Sequence, residues 1–201
     1  MMNKRKVRMV ALITVGVLLV LYSSVEVLLY TKAMKYSALK VKEQIKVTIS
    51  DDQAKLIWFA FNGDKNYRTT YQIIGSDIIN QKNNQIQIIA AYKQVMSTND
   101  YMKWNELDFQ IRLYSTIRYI NTHINWKDCI EFIISNNDFG RSGARDLNQA
   151  AQDYFKKSVS ELGDYELLSL CILIKGSRLY SIGSERSKNK VESIIENYYR
   201  S

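Results

Sequence analysis

"NNDFGRSGARDLNQAAQDYFKKSVSELGDYELLSLCILIKG", Asn136–Gly176, holds an aromatic–glycine pair, a small-residue amphipathic stretch, a Tyr-Phe pair and a long apolar run within about forty residues. Leu147, Ala150, Ala151, Tyr154 and Phe155 recur at the spacing that puts apolar side chains on one helical face. "SVSE" (Ser158–Glu161) has the pattern of a capping box, in which a serine hydroxyl and a glutamate three residues on satisfy each other's backbone donors. "DYELLSLCILIKG" is read as a helix capped by Asp164 and stopped at Gly176. It is apolar nearly all round, the signature of a helix at the centre of a core. The stretch contains no metal motif, phosphate loop or catalytic triad.

The same periodicity extends on both sides. "NWKDCIEFIIS" puts Trp126, Cys129, Ile130, Ile133 and Ile134 on one face, with Asn125 as N-cap and Asp128 in the first turn. "KVESIIENYY" carries a stripe of Val191, Ile194, Ile195, Tyr198 and Tyr199, and residues 51–61 and 105–124 also read as helices. The 201-residue chain has no proline and eight glycines, so breakers are few and long helices are favoured. Residues 62–87 are polar and irregular, where a substrate-facing region is expected. Cys129 and Cys171 lie in apolar helical runs and read as two buried thiols, with a disulfide as the alternative. A single histidine, His123, and the absence of a C-x-x-C pair argue against a metal site.

The N-terminus has a different character. Lys4, Arg5, Lys6 and Arg8 precede the uncharged run Met9–Val25, which Glu26 ends and Val27–Tyr30 extends. About 20 apolar residues cross a bilayer core. The run is longer than the apolar region of a signal peptide and no A-x-A-like site follows it, which favours an uncleaved anchor. The expected organisation is a cytoplasmic basic tail (1–8), a transmembrane anchor (9–30), a juxtamembrane linker (31–50) and one mainly helical domain (51–201). By the positive-inside rule the domain is expected outside the cytoplasmic membrane. Of the formal net charge of +8, four units belong to the basic tail, which leaves +4 for the rest. Lys32, Lys35, Lys40, Lys42 and Lys46 follow the span, placed either to meet anionic headgroups or simply to solvate a linker. The basic balance is largely an anchor effect, and no nucleic-acid-binding motif accompanies it.

The opening stretch resembles the C-terminal half of the glycosyltransferase family 51 domain, that of the peptidoglycan glycosyltransferases. Phe139-Gly140, "NQAAQDYF" (Asn148–Phe155), "KKSVSELGDYELLSLCILI" (Lys156–Ile174) and "VESIIENYY" follow the family's order and spacing. "NWKDCIEFIISNNDFG" fits its S-K-x-x-I-L-x-x-Y-L-N run, and the likeness extends from about Trp104 to the C-terminus. It implies a lysozyme-like, mainly helical transglycosylase domain behind one membrane helix. It also implies a lipid-linked disaccharide–pentapeptide substrate, lipid II, and glycan elongation outside the membrane. In that family the stretch is mostly scaffold and the chemistry lies upstream.

The upstream positions depart from the family. Its E-D-x-x-F-x-x-H-x-G motif, whose glutamate is the general base, aligns with residues 63–71: Gly63 stands for the glutamate, Asp64 for the aspartate, Tyr67 for the aromatic residue and Thr70 for the histidine. A second family glutamate, placed near the leaving pyrophosphate, falls on Asn121, which cannot titrate. The donor-site motif has its nearest counterpart in residues 83–94, where Lys93 keeps the lysine, or alternatively in residues 75–81. Arg112 and Arg118 are the nearest basic candidates for a pyrophosphate. The family's use of a divalent metal has no evident ligand here, and no cofactor is expected. Losing an acid–base group costs about 10²–10⁴-fold in rate. The expectation is therefore a catalytically impaired member of cell-wall biosynthesis that binds lipid II, glycan or a cell-wall synthesis protein. Two alternatives remain. One is an active transglycosylase that uses a displaced acid, Asp64 before Asp77, Glu106 or Asp108. The other is a purely structural envelope interaction domain.

Overall fold

The computed structural model describes residues 4–36, 40–65, 67, 85–97, 102, 105–176 and 179–201. Among them regular structure is helical throughout: α1 (Lys4–Tyr36), α2 (Lys40–Glu43), α3 (Asp51–Asn62), α4 (Gln85–Met96), α5 (Glu106–His123), α6 (Trp126–Ser135), α7 (Leu147–Phe155), α8 (Asp164–Gly176) and α9 (Glu185–Arg200). Two 3₁₀ turns, Gly140–Ser142 and Val159–Glu161, join the later helices.

Within α1, Arg8–Leu28 forms a fully exposed apolar stretch of 21 residues with mean hydropathy 2.2, long and apolar enough to cross a membrane. At about 1.5 Å per residue it spans about 31 Å, the thickness of a bilayer core. Its hydroxyls donate back to carbonyls one turn earlier: Thr14 to Val10, Ser23 to Leu19 and Ser24 to Val20. That pairing satisfies them without water. The helix then continues beyond the expected anchor and lies against α5.

The core forms around α3 and α8. Ser50 starts α3 with a reciprocal capping box, its hydroxyl accepting from Gln53 N at 3.2 Å while Gln53 Oε1 accepts from Ser50 N at 3.1 Å. Gly63 ends α3 at φ 80°, a left-handed conformation in which a Cβ would be strained. Between them Leu56–Asn62 is buried without interruption, against α4, α6, α8 and α9. Leu167–Leu173 of α8 is likewise buried all round, as its unbroken apolar run requires. Asn125 caps α6 by accepting from Asp128 N at 2.7 Å, and Asp146 caps α7 by accepting from Gln149 N at 2.9 Å.

Four features differ from the sequence reading. Asp164 is the first residue of α8 rather than its cap; its carboxylate accepts from Tyr199 OH, and Glu166 takes the Gly163 N–H. Glu161 Oε2 accepts from both Ser158 N and Ser158 Oγ, around a single 3₁₀ turn. Helix α4 begins at Gln85, inside the stretch read as irregular. Its buried face is Ile86, Gln87, Ala90, Ala91, Gln94 and Val95, so two glutamines disguise the helical stripe. Residues 41–50, read as linker, belong to the packed domain. Val41, Val47 and Ile49 are core residues. The segment is tied to α6: Ser135 Oγ accepts from Lys46 N and Val47 N, both at 2.9 Å, and Glu131 Oε1 accepts from Ile49 N at 3.2 Å.

Candidate ligand-binding site

Helix α4 turns its glutamines and alanines inward, which leaves Ile88, Ile89, Tyr92 and Lys93 on the other side. These four face Ile174 and Lys175 at the end of α8, and Asn137 just beyond α6, across a cavity of about 540 Å³. Among the described residues the lining carries three isoleucines, the Tyr92 phenol, two ammoniums and one amide. The Asn137 position is fixed by the aromatic–glycine turn that follows. Phe139 is fully buried, its N–H donates to Ala144 O at 3.0 Å, and its carbonyl accepts from Tyr154 OH at 3.0 Å. Gly140 takes the positive φ of 85° that the turn needs.

Asn137 is 7% exposed, and its Nδ2 has no hydrogen-bond partner among the described residues. A buried amide donor left unpaired costs about 1–3 kcal/mol, so it marks a place for an acceptor. Lys93 is half-buried, and burial lowers its pKa against the opposing pull of Asp138. Burial, with Lys190 nearby, pushes the Lys175 ammonium down to about 8. Lys175 Nζ donates to Ala60 O at 2.8 Å and Phe61 O at 3.4 Å, and lies 5.0 Å from the Phe61 ring centroid. It thereby serves the carbonyl end of α3, where the helix dipole favours a cation. Two of its three N–H donors are used, and one is left for the cavity.

A second cavity of about 440 Å³ shares Lys93 and Asn137 with the first and adds Lys46, Arg145, Asp138 and Asp146. A third, of about 520 Å³, lies between Gly63 at the end of α3 and Lys190, Asn197 and Arg200 of α9.

The candidates from sequence are thus dispersed. Lys93 lines the first two cavities and Gly63 only the third. Asp64 lines none of the three; it accepts from the Trp58 indole N–H at 3.4 Å. That indole belongs to an aromatic cluster in which Trp58 lies 6.3 Å from Tyr67 and 5.9 Å from Trp126, between ring centroids. Asn121 is buried on α5, with no partner for Oδ1 among the described residues, and lines none of these cavities. Arg112 is half-buried on the same helix and lines none of them. The Arg118 side chain, Thr70, Asp77 and the alternative donor motif at 75–81 lie outside the described residues. Glu106 and Asp108 occupy the first turn of α5, where acids complement the helix dipole. Among the described residues, no cluster of three His, Cys, Asp or Glu side chains is placed to hold a metal. Both cysteines are buried free thiols.

Lys175 and Asn137 were not singled out from sequence. Lys175 carries one signal, a lone charge at the end of an apolar helix, but a lysine there is ordinarily a dipole partner. Asn137 carries none. No protein family and no curated protein matches the chain.

Proposed function

We propose that this is a membrane-anchored, glycosyltransferase-51-like protein that binds a lipid-linked, phosphate-bearing cell-wall precursor and does not polymerise it. The observation that carries this reading is the convergence of Lys93, Lys175 and the unpartnered Asn137 amide beside three isoleucines. Ammonium groups and an amide donor suit phosphate oxygens, and the isoleucines suit the first units of a hydrocarbon chain. Among the described residues, the polar groups that line that cavity are cationic or neutral. The resemblance of Asn136–Gly176 supplies the expected ligand, lipid II, and a lysozyme-like arrangement of the helices. The apolar stretch Arg8–Leu28, with the basic tail before it, fits a single-pass anchor that places the domain outside the cytoplasmic membrane. Tied to that anchor, the domain has its ligand delivered in two dimensions, or is held beside the synthesis proteins it serves.

The test uses the full chain purified in detergent, with labelled lipid II offered for polymerisation and for binding. The expected result is binding without polymer, lost on Lys93→Met combined with Lys175→Met. Polymerisation abolished by Asp64→Asn would overturn the reading and name a displaced acid. Absence of both binding and polymer would also overturn it and favour the interaction-domain alternative.

A further inference from the structure

Helix α1 packs chiefly against α5, and that packing sets how the domain stands on the bilayer. The C-terminal end of α5 is tied to the end of α1. It runs into the Asn125 cap of α6, where Asp128 Oδ2 lies 3.6 Å from Lys42 Nζ, and Lys42 belongs to α2, the element after α1. The N-terminal end of α5 therefore points back toward the membrane. Residues 29–36, the part of α1 beyond the apolar span, rise about 12 Å, whereas the 18 residues of α5 extend about 27 Å. Even crossed at about 50°, α5 covers about 17 Å along α1. It thus reaches past the end of the span at Leu28. Glu26 carries the mark of that overlap: it is half-buried, while every other residue of Arg8–Leu28 is exposed.

The end of α5 that comes down to this level is apolar and uncovered. Leu107 is 69% exposed, and Met102, just before the Asn105 cap, is 79% exposed. Phe109 and Tyr92 meet edge to face with ring centroids 5.8 Å apart, which joins the last turns of α4 to the first turn of α5. Tyr92 is itself exposed. The other end of α5 has the opposite character: Ile120, Asn121 and Ile124 are buried, and Thr122 and His123 face solvent. Large apolar side chains gathered at one end of a domain mark a contact surface, and the bilayer is what α1 brings next to this one. A tyrosine suits that boundary, with an apolar ring and a wet hydroxyl. Glu106 and Asp108 share the same turn and limit the depth, because carboxylates stay out of the hydrocarbon.

We infer that the start of α5, with Met102, Leu107 and the Tyr92–Phe109 pair, is a second membrane contact, lying in the headgroup layer of the bilayer that α1 crosses. The domain is thereby held in one orientation instead of swinging on a tether. Tyr92 also lines the first cavity, so the contact sets that cavity beside the lipid surface. The inference goes beyond the function proposed above and rests on its single-pass anchor.

The experiment uses the full chain in phosphatidylcholine vesicles, with one cysteine introduced at a time: Met102→Cys, Leu107→Cys, Leu18→Cys within the span, and Ser160→Cys on the turn between α7 and α8. All four positions are exposed, so the fold is kept. Each new thiol carries an environment-sensitive fluorophore, while Cys129 and Cys171 are buried and stay unlabelled. Lipids bearing a doxyl quencher near the headgroup or near the chain end read the depth of each label. The labels at positions 102 and 107 should be quenched by the headgroup-proximal lipid at least about twofold more strongly than the label at position 160. The label at position 18 should be quenched by the chain-end lipid. Quenching at 102 and 107 no stronger than at 160, with position 18 quenched, overturns the inference and leaves the anchor standing. Blue-shifted but unquenched labels at 102 and 107 mean that protein covers this face, and also overturn it. An unquenched label at position 18 overturns the anchor reading and the inference with it.

Discussion

Replacing Ser135 by alanine tests whether residues 41–50 belong to the domain. Ser135 is 2% exposed, and its hydroxyl oxygen is the acceptor for two backbone donors, Lys46 N and Val47 N, each at 2.9 Å. Alanine removes the acceptor and leaves both donors in place. The Val47 N–H is buried, so its loss costs about 1–3 kcal/mol. The Lys46 N–H is only part-buried, water can reach it, and its loss costs about 0.5–1 kcal/mol. Together the variant should lose about 1.5–4 kcal/mol, a large share of the ~5–15 kcal/mol that ordinarily holds a domain together. With a urea slope of about 2 kcal/mol per molar, the midpoint falls by about 1–2 M. The assay is urea unfolding of the full chain in detergent, followed by tryptophan fluorescence, with amide exchange at Val47 read in parallel. Ser160→Ala, at an exposed position, is the control and should stay within about 0.5 kcal/mol. A midpoint shift no larger than the control's, with Val47 still protected, would refute the claim that this segment is stapled to α6.

Affinity for undecaprenyl pyrophosphate should fall steadily from pH 7 to pH 9. Lys175 loses its proton near 8 rather than 10.5, so the cavity sheds a positive charge across that window. Lys175→Arg should flatten the profile, because a guanidinium stays charged throughout. Lys156 ends α7 at φ 58°, a left-handed conformation in which its Cβ is strained; Lys156→Gly should raise stability by about 0.5–1 kcal/mol in thermal or urea unfolding. Cys129 and Cys171 should resist N-ethylmaleimide in the folded protein and react fully in denaturant without prior reduction, since burial raises both thiol pKa values, that of Cys171 to about 12. A requirement for reductant would contradict the free-thiol assignment. Asp64→Asn should leave lipid-ligand affinity within about twofold, because Asp64 bonds to the Trp58 indole and lines none of the three cavities.

Much of the fold was legible in the chain because its causes are local. Alternation of apolar residues at helical spacing, the cap at Asn125, and the unbroken run Leu167–Leu173 act within a few residues of themselves. The same holds for Arg8–Leu28, whose length and hydropathy alone make it a candidate span. Helix α4 escaped because two of its inward residues are glutamines, and only the packing of α5 and α6 around them shows which way they face. The strap at 44–49 escaped because its partners, Glu131 and Ser135, lie more than eighty residues further on.

The candidate site divides in the same way. Lys93, to which the family resemblance pointed, lines the cavity. Its companions, Asn137 and Lys175, come from the end of α6 and the end of α8, and their meeting depends on how three helices stack. Sequence fixes which groups carry charge and which segments are helical, because side-chain chemistry and backbone hydrogen bonding are local properties. Which charges share a cavity, and which polar atom is left without a partner inside it, is settled only by packing, because burial is a property of the whole fold.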